Sequence, residues 1–421
     1  MRKAVFPKGN SQYINKLNKI KILNIIRENG KISRAEISRK SEISAPTVTR
    51  IVNTLIQDEG LVREVGDGES SGGRPPKLIE FAGDDNFVIG VDLGTTHIYG
   101  VLSNLNAKIV AKVKQETHVE DGFEKVIERT ANIICELQNH PTVKKKKIFG
   151  IGMAVAGLID RKKAIVEYSP DFHWENANIV KYLRQKCGLP IIFDNVTRVM
   201  GLGELWYGIG KEIKNFIIIN IGYGIGASVI NEGRPIYGYR GMAGEFGHVI
   251  LDRDSKYKCE CGNYGCLEAL ASGRAIALKA REGLEGKAKS ILVDMVNGDL
   301  SKITTEMVAN AARQGDPFAS KIFYDSAQYI GIGVAGLVNL FNPQAVVIGG
   351  GVSQAGELLF DVVRETVNQR ALKNITKDLI IIPATFGLNA AVMGSVALIL
   401  NEILHLDYQS YSKKLAVQST W

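Results

Sequence analysis

The chain has no apolar run of about 18 residues, so no membrane-spanning helix is expected. Its opening, MRKAVFPKGNSQYINKLNK, lacks the apolar stretch of a secretory leader. Cysteine is scarce: five residues in 421, three of them within eight positions. Such usage argues against a disulfide-stapled secreted scaffold and suits a reducing cytoplasm, where clustered thiols hold metal more often than they pair. Cys135 and Cys187, in amphipathic surroundings, read as buried free thiols. Excess charge is nearly absent from most of the chain. Residues 1–83 carry 15 Lys and Arg against nine Asp and Glu, +6 of the total +8. A small basic head on a near-neutral body points to a polyanion-binding module joined to something else. What remains is the composition of an ordinary globular protein, 45% hydrophobic and 23% charged with 44 glycines, too long for a single core.

In the head, NKLNKIKILNIIRENG places Leu17, Ile20, Leu23 and Ile26 at helical spacing before Gly30. Ser33 with Glu36 forms a capping box for a second helix. After a turn through Ser41–Ile43, Ser44 starts a third, with Val48, Ile51, Val52 and Leu55 as its buried stripe. Thr47, Thr49, Arg50 and Asn53 fall on the opposite side, as short polar groups and an arginine would in a major groove. LVREVGDGESSGGRPPKLIEF then reads as a β-wing, with Arg74 and Lys77 flanking its tip. A winged helix-turn-helix over 1–82 is predicted, with Ser44, Thr47, Thr49, Arg50, Asn53, Arg74 and Lys77 facing double-stranded DNA. The competing reading is a three-helix interaction domain with solvated charges.

Past Asp84 strands and helices alternate. NFVIGVDLGTTHIYGVLSN and NFIIINIGYGIGASVINEG each form strand, glycine turn and strand, and NPQAVVIGGGVSQAGELLF is a buried strand, three glycines and a helix. Glycine turns let backbone N–H groups approach phosphates or other oxygen-rich ligands, as Gly94, Thr95 and Thr96 could, with Asp92 orienting a metal-bound water. A tight hairpin explains each turn equally well. The two hairpins, some 130 residues apart, predict a duplicated α/β, actin-like body with a cleft between halves. The expected division is 83–200 for the first half, completed by a C-terminal helix at about 387–405, and 201–386 for the second.

The run KCECGNYGCLEAL, residues 258–270, offers Cys259, Cys261 and Cys266 as three metal ligands without a fourth; a labile regulatory thiol cluster is the rival. The longer stretch GEFGHVILDRDSKYKCECGNYGCLEA resembles the signature of the ROK family (repressors, open reading frames and sugar kinases). That signature is Glu-x-Gly-His, a gap, then Cys-x-Cys-Gly-x-x-Gly-Cys-x-Glu. All nine positions are present: Glu245, Gly247, His248, Cys259, Cys261, Gly262, Gly265, Cys266 and Glu268. The resemblance covers essentially the whole chain, and the winged head places it with the family's repressors rather than its free-standing kinases.

The resemblance implies His248 as fourth ligand of a closed, structural Zn2+ site in the second half. It also implies a sugar site at Glu245, His248, Glu268 and Asn195, lined by Gly157 and by the loop Ser169–Trp174, to which Asp171 is added. Trp174 itself reads equally as core. The family's kinases place their catalytic aspartate where this chain has Val196, counting back from Gly203-Glu204; His97 and Tyr223 replace the usual lysine and threonine of the phosphate loops. Only a register shift to Asp194 would restore a base. The expectation is a cytoplasmic, sugar-responsive transcriptional repressor that acts as a homodimer or homotetramer, releases operator DNA on binding a small-molecule sugar inducer, and is not an enzyme. The alternatives are an active ATP-dependent sugar kinase with an accessory DNA head and, third, a DNA-binding protein with a purely structural body.

Overall fold

The computed structural model describes residues 11–69, 75–144, 146–161 and 163–405. The head begins with α1 (Ser11–Asn29), which buries Ile22, Leu23 and Ile26. Leu17 belongs to the same stripe by spacing but is 48% exposed. A short strand β1 (Ile32–Ser33) leads into α2 (Arg34–Ser41). The capping box there is complete: Ser33 N–H donates to Glu36 Oε2 at 3.0 Å and Glu36 N–H to Ser33 Oγ at 3.2 Å. Glu42, left-handed at φ 58°, makes the turn. Helix α3 (Ala45–Thr54) follows, and Val48, Ile51, Val52 and Leu55 are buried. Strands β2 (Val62–Asp67) and β3 (Lys77–Phe81) form the antiparallel wing, with β1 added beside β3. At the junction with the body, buried Asn86 donates to Gly60 O and Ala82 O, both at 2.8 Å.

The body's first half opens with the meander β4 (Asn86–Leu93), β5 (His97–Asn104) and β6 (Ile109–Glu116). Helix α4 (Phe123–Gln138) returns the chain to β7 (Lys147–Val155), parallel to β4. A small antiparallel sheet, β8 (Leu158–Asp160), β9 (Ile165–Ser169) and β10 (Trp174–Ala177), precedes α5 (Ile179–Cys187). Strand β11 (Ile191–Asn195), parallel to β7, runs directly into α6 (Val196–Tyr207), so the half-boundary expected at 200 falls inside a helix.

The second half repeats the plan. The meander β12 (Phe216–Ile221), β13 (Ile225–Asn231) and β14 (Arg234–Pro235) is followed by the helices α7 (Leu267–Ala271), α8 (Gly273–Glu285), α9 (Leu292–Met295), α10 (Thr305–Arg313) and α11 (Pro317–Phe341). Then come β15 (Ala345–Gly349), α12 (Glu357–Arg370), α13 (Lys373–Thr376), β16 (Ile380–Pro383) and α14 (Ala390–His405). The sheets read β6-β5-β4-β7-β11 and β14-β13-β12-β15-β16: in each, a meander with two parallel strands added beside its first strand. This is the duplicated actin-like architecture predicted from the two hairpins.

Helix α14 crosses back to cover the first sheet beside α6. Its backbone lies so close to β7 that a Cβ on Gly152 would stand 2.0 Å from Ser395 O, which is why glycine occupies the middle of a buried strand. Ser395 Oγ donates to Val91 O at 2.9 Å and fixes that register. Trp174 is buried, stacked on Phe172 at 4.5 Å and edge-on to Phe123 at 5.0 Å, so it is core. Among the described residues no helix is long and apolar enough to cross a membrane.

Candidate functional site

The thiol loop hangs from two short antiparallel contacts, Ile250 with Cys266 and Lys258 with Tyr264. Cys259 N–H donates to Asn263 O at 2.8 Å and Gly262 N–H to Cys259 O at 2.9 Å, which closes a tight turn around Cys261. Gly265 is irreplaceable there: its φ is +66° and a Cβ would meet Asp252 O at 1.7 Å. This folding brings His248 together with Cys259, Cys261 and Cys266. Their ligand atoms all lie within 4.8 Å of one another, with His248 Nδ1 3.5 Å from Cys259 Sγ and Cys261 Sγ 3.7 Å from Cys266 Sγ. Such a set can hold a metal ion. A tetrahedron with metal–sulfur bonds of about 2.3 Å and a metal–nitrogen bond of about 2.0–2.1 Å has edges of about 3.5–3.8 Å, which the two short separations match.

Glu268, two residues past Cys266, turns its carboxylate back to the β12–β13 hairpin. Oε2 accepts from Ile225 N–H at 2.9 Å, and Oε1 stands 3.8 Å from Cys259 Sγ. One of its oxygens is thus already engaged, a long-range contact that sequence spacing could not show. Glu245 and Asp171 are its electrostatic neighbours, and His248 acts on both of them. Burial, with Glu268 next in effect, pushes the Asp171 carboxyl up to about 6. Burial raises the Glu245 carboxyl too, opposed by Arg198 and His248. The site is a partly desolvated cluster of acids against a metal-competent loop.

Asn195 caps α6: Oδ1 accepts from Thr197 N–H at 2.9 Å, while Nδ2 donates to Gly157 O at 3.0 Å. Gly157 has φ +121°, and a Cβ would collide with Tyr168 O at 2.6 Å, so the wall beside Asn195 is backbone. Val196 is the first residue of α6. Asp194 is wholly buried, accepting from Asn195 N–H at 2.7 Å and from Arg198 Nε at 2.9 Å.

Sequence reasoning missed Arg198. It is 1% exposed, bonds Asp194, and donates from Nη1 to Ala243 O at 3.0 Å, two residues before Glu245. The four-residue spacing of Asp194 and Arg198 across an apolar strand–helix joint was the available signal. Two further arginines hold the same glycine-rich segment, 236–244. Arg161 lies 5.1 Å from the Tyr237 ring centroid and 3.7 Å from Asp194 Oδ2, and Arg240 pairs with Glu167 of β9 at 2.8 Å.

The glycine turns are closed hairpins. Gly94 N–H donates to His97 O at 3.1 Å, and Gly222 N–H to Gly224 O at 3.0 Å. Tyr223 is half-exposed under the Arg274 guanidinium, which also pairs with Glu260 of the thiol loop. Burial pushes the Asp92 carboxyl up to about 7.

In the head, Ser44 precedes α3 but its side chain caps no backbone N–H; its Oγ lies 2.9 Å from Thr47 Oγ1. Ser44, Thr49 and Arg50 are exposed, while Thr47 and Asn53 are half-buried. Arg50 Nη2 donates to Asn15 Oδ1 at 2.5 Å, and Asn53 Oδ1 accepts from Arg34 at 3.1 Å. Lys77 pairs with Asp67 across the wing at 2.9 Å. Arg74 lies outside the described residues.

Residues 88–402 match the model of the ROK family, and residues 16–61 that of a winged helix-turn-helix DNA-binding domain. The xylose repressor of Caldicellulosiruptor bescii is 32% identical over 396 residues, 94% of this chain and 98% of that protein. The glucokinase of Thermotoga maritima is 35% identical over 318 residues, 75% of this chain and 98% of the kinase. The crystal structure of a ROK family transcriptional regulator, a homologue of the E. coli MLC protein, superposes with a TM-score of 0.82 at 27% identity, covering 94% of this chain and 98% of that one.

Proposed function

The chain belongs to the ROK family, and from that premise we propose that it is a cytoplasmic, sugar-responsive transcriptional repressor whose body senses the inducer and whose head holds the operator. The observation that carries this reading is the union, in one chain, of a winged helix-turn-helix with the acid cluster beside the metal-competent loop. Similarity to repressors along nearly the whole chain supports the same reading.

In this reading His248, Cys259, Cys261 and Cys266 hold a structural zinc ion; four protein ligands leave no position for a reacting water. The ion supplies rigidity. Coordination through Nδ1 of His248 leaves its Nε2–H as a donor, while Glu245 and the free oxygen of Glu268 accept sugar hydroxyls. Asn195, Gly157 and Asp171 line the remaining wall. Relatives named for xylose make a pentose the first ligand to try. Two heads are needed to read an inverted-repeat operator, hence a homodimer or homotetramer. A thermal-shift screen with D-xylose, D-glucose and N-acetylglucosamine tests the sensor. A ligand at 100 times its Kd stabilises by ~2.7 kcal/mol, and no shift with any sugar would sink it.

Phosphoryl transfer is not part of the reading. Val196 cannot take a proton, and Asp194, the nearest carboxylate in the chain, is sealed against Arg198. Loss of a general base costs about 10²–10⁴-fold, and Tyr223 adds bulk at a phosphate turn. A coupled ATP-consumption assay on the same sugars should therefore show no turnover above background. Val196→Asp alone should restore little, and brisk turnover by the unaltered protein would overturn the assignment.

The exposed side of α3 gives a separate expectation for DNA. Arg50→Ala should weaken operator binding by about 1–3 kcal/mol and leave sugar affinity unchanged. Affinity of the unaltered protein should fall steeply with added salt as phosphate contacts release counterions. An operator titration in which Arg50→Ala matches the parent would remove α3 from the interface.

A further inference from the structure

Helix α6 begins at the candidate sugar site and ends against the head. At its start, Asn195 caps it and bonds Gly157 O, and Arg198 in its first turn holds Ala243 O, two residues from Glu245. At its far end the Arg27 guanidinium of α1 stands 4.3 Å from the Trp206 ring centroid. The neighbouring Tyr207 hydroxyl is buried and makes no hydrogen bond among the described residues. Twelve helical residues span about 18 Å, and the interior turns of α6 are buried from Thr197 to Glu204. A helix so enclosed moves as a unit. The head is also attached at the junction, where Asn86 bonds Gly60 O and Ala82 O and Lys147 Nζ donates to Glu59 O at 3.3 Å, and α1 packs on α14, the helix beside α6. A head held at a junction and resting through α1 on the paired helices α6 and α14 is reoriented when α6 shifts.

We infer that α6 is the rod carrying ligand state from the sugar site to the DNA-binding head, and that Arg27 against Trp206 is its joint. Arg27 is on this account a positioning residue: it touches neither sugar nor DNA, and it sets the head's orientation for each state of the body. The inference rests on the repressor reading above. Coupling between two sites is a ratio of affinities, commonly about 5–150-fold, and it can vanish while each affinity survives. Packing alone would not produce that pattern.

The test uses full-length protein and two probes: a duplex that the unaltered protein selects from a randomised pool, and D-xylose, D-glucose and N-acetylglucosamine in turn. DNA affinity is measured with and without sugar, and sugar affinity by calorimetry. In the unaltered protein the effective sugar should shift DNA affinity by about 5–150-fold. Arg27→Met should keep each separate affinity within about threefold yet bring the ratio close to one, while Arg27→Lys, which keeps a cation over the ring, should retain part of it. Trp206→Leu removes the joint from the other side and should repeat the loss if Arg27→Met fails to fold. An undiminished ratio in either folded variant overturns the joint and leaves the repressor reading standing. A ratio of one in the unaltered protein with every sugar overturns that reading and the rod together.

Discussion

Cys259→Ser is expected to strip the metal and to abolish measurable sugar binding while the rest of the chain stays folded. Cys259 is buried at the centre of the loop, its Sγ 3.5 Å from His248 Nδ1 and 3.8 Å from Glu268 Oε1, so serine there removes a thiolate from the set and a neighbour from the carboxylate. With three ligands left, the backbone from Val249 to Cys266 loses its fixed point. His248 lies three residues after Glu245, and Cys266 two before Glu268, so both carboxylates lose the ion's support, and Glu268 keeps only its bond from Ile225 N–H. Hydrogen bonds to charged groups contribute about 1.5–3 kcal/mol each, so losing two weakens binding by about 10²–10⁴-fold. The small cluster of Cys259, Cys266 and Ala269 is separate from the large cores, which is why global unfolding is not expected. Glu268→Gln supplies the control: an amide oxygen can still accept from Ile225 N–H, the metal stays, and only the sugar-facing charge is lost. Metal analysis with sugar titration reads both. A metal-free Cys259→Ser protein that bound sugar like the parent would leave the ion no part in shaping the site.

The elements legible in sequence are those whose cause is local. Ser33 and Glu36 cap each other three residues apart, the stripe of α3 repeats at helical spacing, and two strand–glycine turn–strand hairpins point to the duplication. The thiol loop was readable because Cys259, Cys261, Cys266 and His248 share one short stretch. The sheet of β8, β9 and β10 was not. Its turns place Ala164 and His173 at φ +55°, left-handed positions with no glycine to mark them. Spacing marks Glu268 as a sugar contact but not that the N–H of Ile225, 43 residues away, claims one of its oxygens. The joint between Arg27 and Trp206 is more distant still, created only when α1 docks on the end of α6. Residue spacing records helix faces and loop chemistry; it does not record which faces meet.

Arg198 shows how much such an unmarked contact can govern. Arg198→Met should destabilise the protein by ~3–5 kcal/mol, because it leaves the Asp194 carboxylate in the interior without its close partner. Asp194 is fully buried and bonded to Arg198 Nε at 2.9 Å. Arg161, at 3.7 Å from the other oxygen and partly exposed, offsets part of the loss and places the effect towards the lower end. Methionine keeps an apolar stem in place of arginine's and omits the guanidinium, so the change removes the charge together with its hydrogen bonds. The double variant Asp194→Asn with Arg198→Met should recover most of the stability, since no unpaired charge then remains buried. It should not recover sugar affinity: Ala243 O has still lost its 3.0 Å donor, and the segment leading to Glu245 is freed from α6. Urea unfolding of the three proteins, each with a sugar titration, separates the roles. A single variant as stable as the parent would show that the buried pair contributes nothing net. A double variant with parental sugar affinity would show that Arg198 serves the fold and not the site.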